Sequence, residues 1–292
     1  MKTKWLLQSS GFTSSYIEEV ADSLINLGLN WVDFGIVDDT LTNLENILNI
    51  ENEIYIARGG TKLLRMLQET KTIETLNPHL SREQIKNKEN YIKRLRNSLD
   101  YDEKRFDMEY YSTLGLPLLN NEMEMYTVNN LLYSEFEKDM FIKPSKDSKA
   151  FNGGIIYSGE TLMNYLMRTP HRSIDEIGQD TVIIAPLRTI KDEYRFFMHK
   201  DNILGSSRYM LEGKVKPSNF VAQEIKDKAK EYGKLYNPMD IYVMDLCSLE
   251  DSDEIKIVEY NCWNCSGFYH CDIKSIIKQI NVIKSESNLN QI

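Results

Sequence analysis

The stretch MDIYVMDLCSLEDSDEIKIVEYN, residues 239–261, consists of two β-rich runs on either side of the turn Asp251-Ser252-Asp253. With that turn at the centre of a hairpin, Asp245 falls opposite Glu259, with Cβ atoms about 5 Å apart. Asn261, two residues on, joins the same face. The spacing also puts Ile241, Val243, Cys247, Leu249, Ile255 and Ile257 there, so an apolar stripe ends in two carboxylates and an amide. Like charges on such a surface repel, and a buried lone carboxylate is costly. A hard divalent cation relieves both. Mg²⁺ in particular takes one or two carboxylates and completes its shell with phosphate oxygens and water. A carboxylate bonded to a neighbouring Lys or to backbone N–H is the other arrangement this stretch allows. A one-residue slip in register would separate the pair.

Upstream, Asp192-Glu193-Tyr194-Arg195-Phe196-Phe197-Met198 reads as a strand with Glu193 and Arg195 on one face, and Arg208 lies on the next strand beyond the turn His199 to Asn202. Arg at such positions suits bidentate contact with phosphate or carboxylate, or a cross-strand salt bridge. Further back, Met140-Phe141-Ile142-Lys143-Pro144-Ser145 is a short strand ending in a Lys, followed by a polar loop, Lys146 to Gly154, that closes on Gly153-Gly154. A point charge beside backbone N–H donors suits anionic phosphates, although an ordinary turn has the same composition. No Gly-x-x-x-x-Gly-Lys-Ser/Thr loop occurs in the chain.

The first part of the chain alternates strand and helix. Strands are expected at Trp5–Gln8, Trp31–Val37 and Glu53–Ala57, with an amphipathic helix from Tyr16 to Leu27 closed by Gly28. Arg58-Gly59-Gly60-Thr61 turns into a helix through Leu67, and the alternation predicts a small α/β domain. Residues Gln84–Asn97 predict a basic amphipathic helix with a solvated face. Helices are also expected at Thr127–Lys138 and Asn219–Tyr236, among strands at Met140–Pro144, Gly154–Tyr157, Thr181–Ala185, Glu193–His199, Asn202–Tyr209, Met239–Leu249 and Ile255–Asn261. The composition shift places a domain boundary near Asn120, giving an N-terminal α/β domain over 1–119 and a second domain over 120–292.

The bulk composition narrows the function. With 41% hydrophobic and 27% charged residues over 292 positions, the chain has the makings of a substantial core. A net charge of −9 argues against a broad basic surface for nucleic acid. No run of about 18 apolar residues predicts a membrane span, and no signal peptide is evident. Four cysteines do not make a disulfide scaffold in a chain of this length. A cytoplasmic location is the expectation.

In order and spacing, four blocks resemble the ATP-grasp superfamily, and within it the RimK-like ligases of a branch found in phages and bacteria. They are Phe141-Ile142-Lys143-Pro144 with its loop; Ala185-Pro186-Leu187 ahead of Glu193-x-Arg195; Ser206-Ser207-Arg208-Tyr209; and Asp245 followed by Val258-Glu259-Tyr260-Asn261. The segments Arg58-Gly59-Gly60 and Leu118-Leu119-Asn120 look like the pre-domain of that branch. The resemblance implies an α/β (α+β) ATP-grasp fold and an ATP- and Mg²⁺-dependent ligase that joins a carboxylate to an amine through an acyl-phosphate. The acceptor would be a small molecule, a peptide or a protein, and an oligomer is compatible with the family's habits. Lys143 would contact the α- and β-phosphates, and the loop from Ser145 to Gly153 and Gly154 would close over the triphosphate. Ala185, Pro186 and Leu187 would form the adenine hinge, and Glu193 would bind ribose or support the site. Arg195 and Arg208 would steady the transferred phosphoryl group, while Asp245, Glu259 and Asn261 would hold Mg²⁺. Two departures stand out. Ala185 occupies a position where relatives often carry Glu, and the Asn-x-x-Pro-Gly ending is replaced by Asn261-Cys262-Trp263-Asn264-Cys265-Ser266-Gly267.

Two other readings compete. Cys262, Cys265 and Cys271, with His270 and Cys247, could bind zinc, but the spacing lacks a second well-formed pair. A non-catalytic nucleotide-binding or interaction protein is the second, against which stands the retention of both carboxylates, the Asn and the Lys. The aromatics Trp263, Phe268 and Tyr269 read as core.

Overall fold

The computed structural model describes residues 2–9, 14–37, 40–41, 53–68, 99–146 and 150–287. The expected helix at Gln84–Asn97 lies outside them, as do residues 147–149 of the Gly-closed loop.

A parallel sheet opens the chain. Strands β1 (Lys2–Gln8), β2 (Trp31–Phe34) and β5 (Glu53–Arg58) line up in the order β2-β1-β5. Beside them, β3 (Ile36–Val37) and β4 (Thr40–Leu41) form a short antiparallel pair. Helix α1 (Ser14–Asn26) ends at Gly28, whose positive φ of 64° lets the chain reverse into β2. The strand expected at Trp31–Val37 is broken in two at Gly35. Helix α2 (Thr61–Gln68) follows β5.

Short helices α3 (Glu103–Phe106) and α4 (Met108–Tyr111) lead into a four-stranded antiparallel sheet. Its strands β6 (Glu124–Thr127), β7 (Met140–Pro144), β8 (Gly154–Ile156) and β9 (Thr181–Pro186) run in the order β6-β9-β7-β8. Helices α5 (Val128–Leu131), α6 (Leu162–Met167) and α7 (Ile174–Ile177) contribute to its core, with Val128, Leu162 and Ile177 buried beside Ile142 and Val182. The helix expected at Thr127–Lys138 is cut to the single turn of α5. Beyond it Phe136 N–H donates to Glu160 O, and Glu135 bridges to Thr161, so pairing with a distant loop replaces the helical ladder.

The second half is a five-stranded antiparallel sheet in the order β12-β11-β10-β13-β14. Its strands are β10 (Ile190–His199), β11 (Asn202–Leu211), β12 (Lys214–Ser218), β13 (Ile241–Leu249) and β14 (Ile255–Asn261). On one face, α8 (Gln223–Leu235) buries Ile225 and Ala229 against Phe196, Met244 and Leu246. On the other, Phe197, Ile241 and Val243 join Trp5, Ile56, Trp263 and Phe268 in one cluster with Ile276 and Ile280 of α9 (Ile273–Ser287). This shared cluster ties the N-terminal sheet to the face that carries the carboxylates. Apolar burial of this kind is worth about 25 cal/mol per Å² removed from water. No helix among the described residues is long and apolar enough to cross a membrane.

The hairpin departs from the simple alternation at one point. Asp245 pairs with Glu259 and Val243 with Asn261, but Leu246 pairs with Ile257, leaving Val258 as a bulge. Ile257 therefore turns to the α8 face and packs with Met244, Leu246 and Tyr260, with Ile255 beside that cluster. The expectation that Ile255 and Ile257 share the carboxylate face is corrected by this one extra residue.

Candidate active site

Asp245 is almost fully buried, 1% exposed. Arg195, its partner across β10 and β13, donates from Nε to Oδ1 at 2.9 Å and from Nη2 to Oδ2 at 2.6 Å. The third arm, Nη1, donates to the carbonyl of Gly267 at 3.2 Å. Tyr209 and Tyr269 stack with centroids 4.8 Å apart, and the Arg195 guanidinium lies 5.7 Å from the first ring and 4.9 Å from the second.

Glu259 is held from the other sheet. Lys143 at the end of β7 reaches across to it, Nζ to Oε2 at 2.8 Å. The Asn261 amide lies between the carboxylates, with Nδ2 donating to Asp245 Oδ2 at 3.2 Å and to Glu259 Oε1 at 3.0 Å. Glu193 lies on the same face and accepts from the Tyr209 hydroxyl at 2.5 Å.

Electrostatics follow from this packing. Burial pushes the Asp245 carboxyl up against the pull of Arg195. Burial works against the Arg195 charge too, but Asp245 outweighs it and raises the guanidinium above its ordinary value. For Glu259, burial pushes up, yet the Lys143 ammonium and the Asn261 amide prevail and hold it at about 2. Glu193 is raised by burial and by Asp245 and Glu259, with Tyr209 opposing. Three acidic groups thus share one surface with two cations. The donor chemistry fits Mg²⁺: two carboxylates supply hard oxygens, and an Asn amide turned by half a rotation adds a third.

A cleft of about 370 Å³ opens beside the carboxylates, lined by Lys143, Ser145, Gly153, Glu259 and Asn261 with Phe106, Tyr111 and Phe141. Ser145 is buried and its hydroxyl has no hydrogen-bond partner among the described residues. Gly153 sits so close to β7 that a Cβ would lie 2.9 Å from Lys143 Cβ and 3.3 Å from Ile142 O. Gly154 pairs with Ile142 on the same strand.

The remaining expected residues lie elsewhere. Ala185 and Pro186 end β9, opposite Phe141 and Met140, and Leu187 follows where the chain crosses from the four-stranded to the five-stranded sheet. They do not line the 370 Å³ cleft. Arg208 is on the other face of the sheet from Arg195. A register shift between Phe197 and Met198, with Leu204 as the extra residue, pairs Arg208 with Tyr194, and its Nη1 sits 3.4 Å from Asp192 Oδ1. Arg208, expected beside Arg195 at the transferred phosphoryl group, does not share the Arg195 face. It is Tyr209 that reaches the site.

With this geometry in place, the sequence can be set beside known proteins. The ATP-grasp domain family of the R2K clade, family 2, matches residues 119–279, more than half of the chain. The chain belongs to this ATP-grasp family. Its fold is also that of solved ATP-grasp structures. D-alanine–D-alanine ligase from Bacillus anthracis in complex with ATP aligns at a TM-score of 0.57 and 11% identity, covering 98% of this chain and 99% of that one. A RimK domain ATP-grasp protein from Sphaerobacter thermophilus gives 0.55 at 7% identity, covering 96% and 99%. The ATP-grasp ligase PsnB, solved with a phosphomimetic variant of its minimal precursor, Mg and ADP, gives 0.54 at 12% identity, covering 96% and 98%. No curated protein is similar enough in sequence to add a relative.

Within this ATP-grasp chain, several residues of the site had no motif to announce them. Phe106 and Tyr111 reach the cleft from α3 and α4, outside the matched region. Trp263 and Phe268 are core, as their apolar character suggests, but Tyr269 is 45% exposed and stacks at the site. Cys262 and Cys265 lie together under α2 beside Leu63 and Tyr101, but Cys271 packs apart with Phe268 and Ile276, and His270 is exposed. Among the described residues no group of three or more His, Cys, Asp and Glu is placed to hold a metal ion, zinc included.

Proposed function

We propose that this protein is an ATP- and Mg²⁺-dependent ligase that forms an amide between a carboxylate and an amine, releasing ADP. The observation that carries the reading is the contact of Asp245, Glu259 and Asn261 with Lys143 and Arg195, beside a cleft that Lys143, Glu259 and Asn261 line, in an ATP-grasp chain. ATP would supply the phosphoryl group that activates the carboxylate as an acyl-phosphate with release of ADP, and attack of the amine at the carbonyl carbon would form the amide and expel phosphate.

The chain's own residues do the rest by position and charge. Lys143 and Arg195 are the cations available to phosphate oxygens once the carboxylates engage Mg²⁺. The Asp245, Glu259 and Asn261 set holds that ion, with Glu259 ionised throughout the physiological range. Ser145 offers a hydroxyl and Gly153, packed closely on Lys143, a backbone N–H to the phosphates, and the Ala185–Leu187 crossover serves as the adenine-side hinge. Glu193, held by Tyr209, binds ribose or supports the carboxylates. Arg208 has no part in this scheme.

The ATP-grasp ligase PsnB has been solved in complex with a precursor peptide, which favours a peptide acceptor here. The test is incubation with ATP, Mg²⁺ and a panel of amino acids and peptides, following ADP release and loss of water from the joined product by mass. Asp245→Ala plus Glu259→Ala should abolish both. Undiminished activity in that variant would sink the reading.

A further inference from the structure

Arg58, the last residue of β5, is 1% exposed, and its Nη1 donates to Trp263 O while Nη2 donates to Ser266 O and to the Tyr16 hydroxyl. Its guanidinium carbon lies 4.4 Å from the Phe268 ring centroid and 5.9 Å from that of Trp263. The backbone around it grips the same loop: Gly59 N–H donates to Asn264 O at 3.0 Å, and Asn264 Nδ2 donates to Ala57 O at 2.6 Å. Nothing larger than Gly fits at 59, where a Cβ would lie 2.5 Å from Leu63 Cδ2 and 2.8 Å from Gln8 Cβ. Burying an arginine charge is costly, and apolar packing would hold a loop more cheaply. This one is aimed at the carbonyls of a single loop. That loop begins directly after Asn261 and runs to Gly267, whose carbonyl accepts the Nη1 arm of Arg195.

We propose that Arg58 is a positioning residue for the ligase reaction: through the 262–268 loop it fixes the Gly267 carbonyl and thereby the free arm of Arg195 beside Asp245. The inference rests on the function proposed above. When the Asp245 oxygens are shared with a cation, the Gly267 carbonyl and the two tyrosine rings are what keep Arg195 in place. The clamp therefore acts on turnover and not on ATP binding. It also gives the N-terminal sheet, which lies outside the matched ATP-grasp region, an indirect part in the chemistry through Arg195.

The experiment is a double-mutant cycle of Arg58→Lys and Arg195→Lys, with Asn264→Ala replacing Arg58→Lys if that variant does not fold. Two readouts are taken: Mg²⁺-dependent ADP release from ATP with water as acceptor, and the Arg195 Nε–H signal by NMR in ligand-free protein. Arg58→Lys should lower ADP release about tenfold or more with ATP affinity changed less than about twofold. In the Arg195→Lys background the same change should cost less than about threefold. The Arg195 Nε–H signal, sharp in the unmodified protein, should broaden in Arg58→Lys. Equal fold losses in both backgrounds, or an unaltered Arg195 signal, would overturn the clamp. An unmodified protein that binds no ATP would overturn the proposed function instead, and the NMR signal would still judge the clamp.

Discussion

Arg195 grips both oxygens of Asp245, at 2.9 and 2.6 Å, in the same surface where Lys143 grips Glu259 at 2.8 Å. Each carboxylate of the proposed Mg²⁺ set is thus neutralised by a cation of the chain itself. Those cations are the ones that phosphates would draw away. Removing one member of a buried pair leaves the other charge stranded, at about 3–5 kcal/mol. Asp245→Ala should therefore lower unfolding free energy in urea by about 3 kcal/mol and eliminate Mg²⁺-dependent ATP binding. A loss well under 1 kcal/mol would mean that Arg195 finds another partner.

The Lys143–Glu259 bridge predicts a pH signature. The Glu259 carboxyl is depressed from 4.5 to about 2, so the native state binds fewer protons than the unfolded state between those values. Its stabilisation is complete above about pH 4.5 and lost as pH falls through about 2. In Lys143→Met, burial is no longer opposed by that ammonium, and Glu259 should titrate higher. The stability difference from the unmodified protein should be largest at neutral pH and vanish below about pH 2. A carboxyl-detected NMR titration of Glu259 measures the shift directly, and an unmoved titration would remove Lys143 as the cause.

Gly153→Ala drives a methyl to 2.9 Å from Lys143 Cβ and 3.3 Å from the Ile142 carbonyl. Overpacking of this kind costs about 1–3 kcal/mol. Because the strain falls on Lys143, ATP affinity should drop along with stability, as calorimetry would show. Stability lost with ATP affinity intact would separate this glycine from the site.

Arg208→Met tests which face the chemistry uses. Arg208 pairs with Asp192 on the far side of the sheet from Asp245. ATP affinity should remain within about twofold while stability falls by about 1–3 kcal/mol, the cost of leaving Asp192 short of a partner. A large loss of ATP binding would place Arg208 in the site after all.

Much of this was legible from residue spacing, and the exceptions share a cause. The turn at Asp251-Ser252-Asp253 pointed to the pairing of Asp245 with Glu259, and the pair forms, although the register beside the turn is one residue off and the extra residue Val258 restores it. The same alternation misplaced Ile255 and Ile257, because the extra residue Val258 reverses the faces between it and the turn; Arg208, given its role by resemblance alone, lies on the other face from Arg195 because an extra residue at Leu204 shifts the β10–β11 register. Nothing local in the sequence marks such bulges. The helix expected at Thr127–Lys138 failed because Glu135 and Phe136 pair with residues near 160, a contact no local window contains. Helix α9 lies beyond the last segment the spacing resolved. Arg58 read only as part of a turn, since its partners lie some 200 residues away at Trp263 and Ser266.

The most direct test is thermal unfolding with and without ATP and Mg²⁺, run beside the Asp245→Ala/Glu259→Ala variant. A ligand that binds only the folded state at about 100 times its Kd adds about 2.7 kcal/mol, an easily measured rise in Tm. The account predicts a rise that needs ATP, Mg²⁺ and both carboxylates together. A rise of the same size without Mg²⁺ or in the variant, or no rise in the unmodified protein, would contradict it.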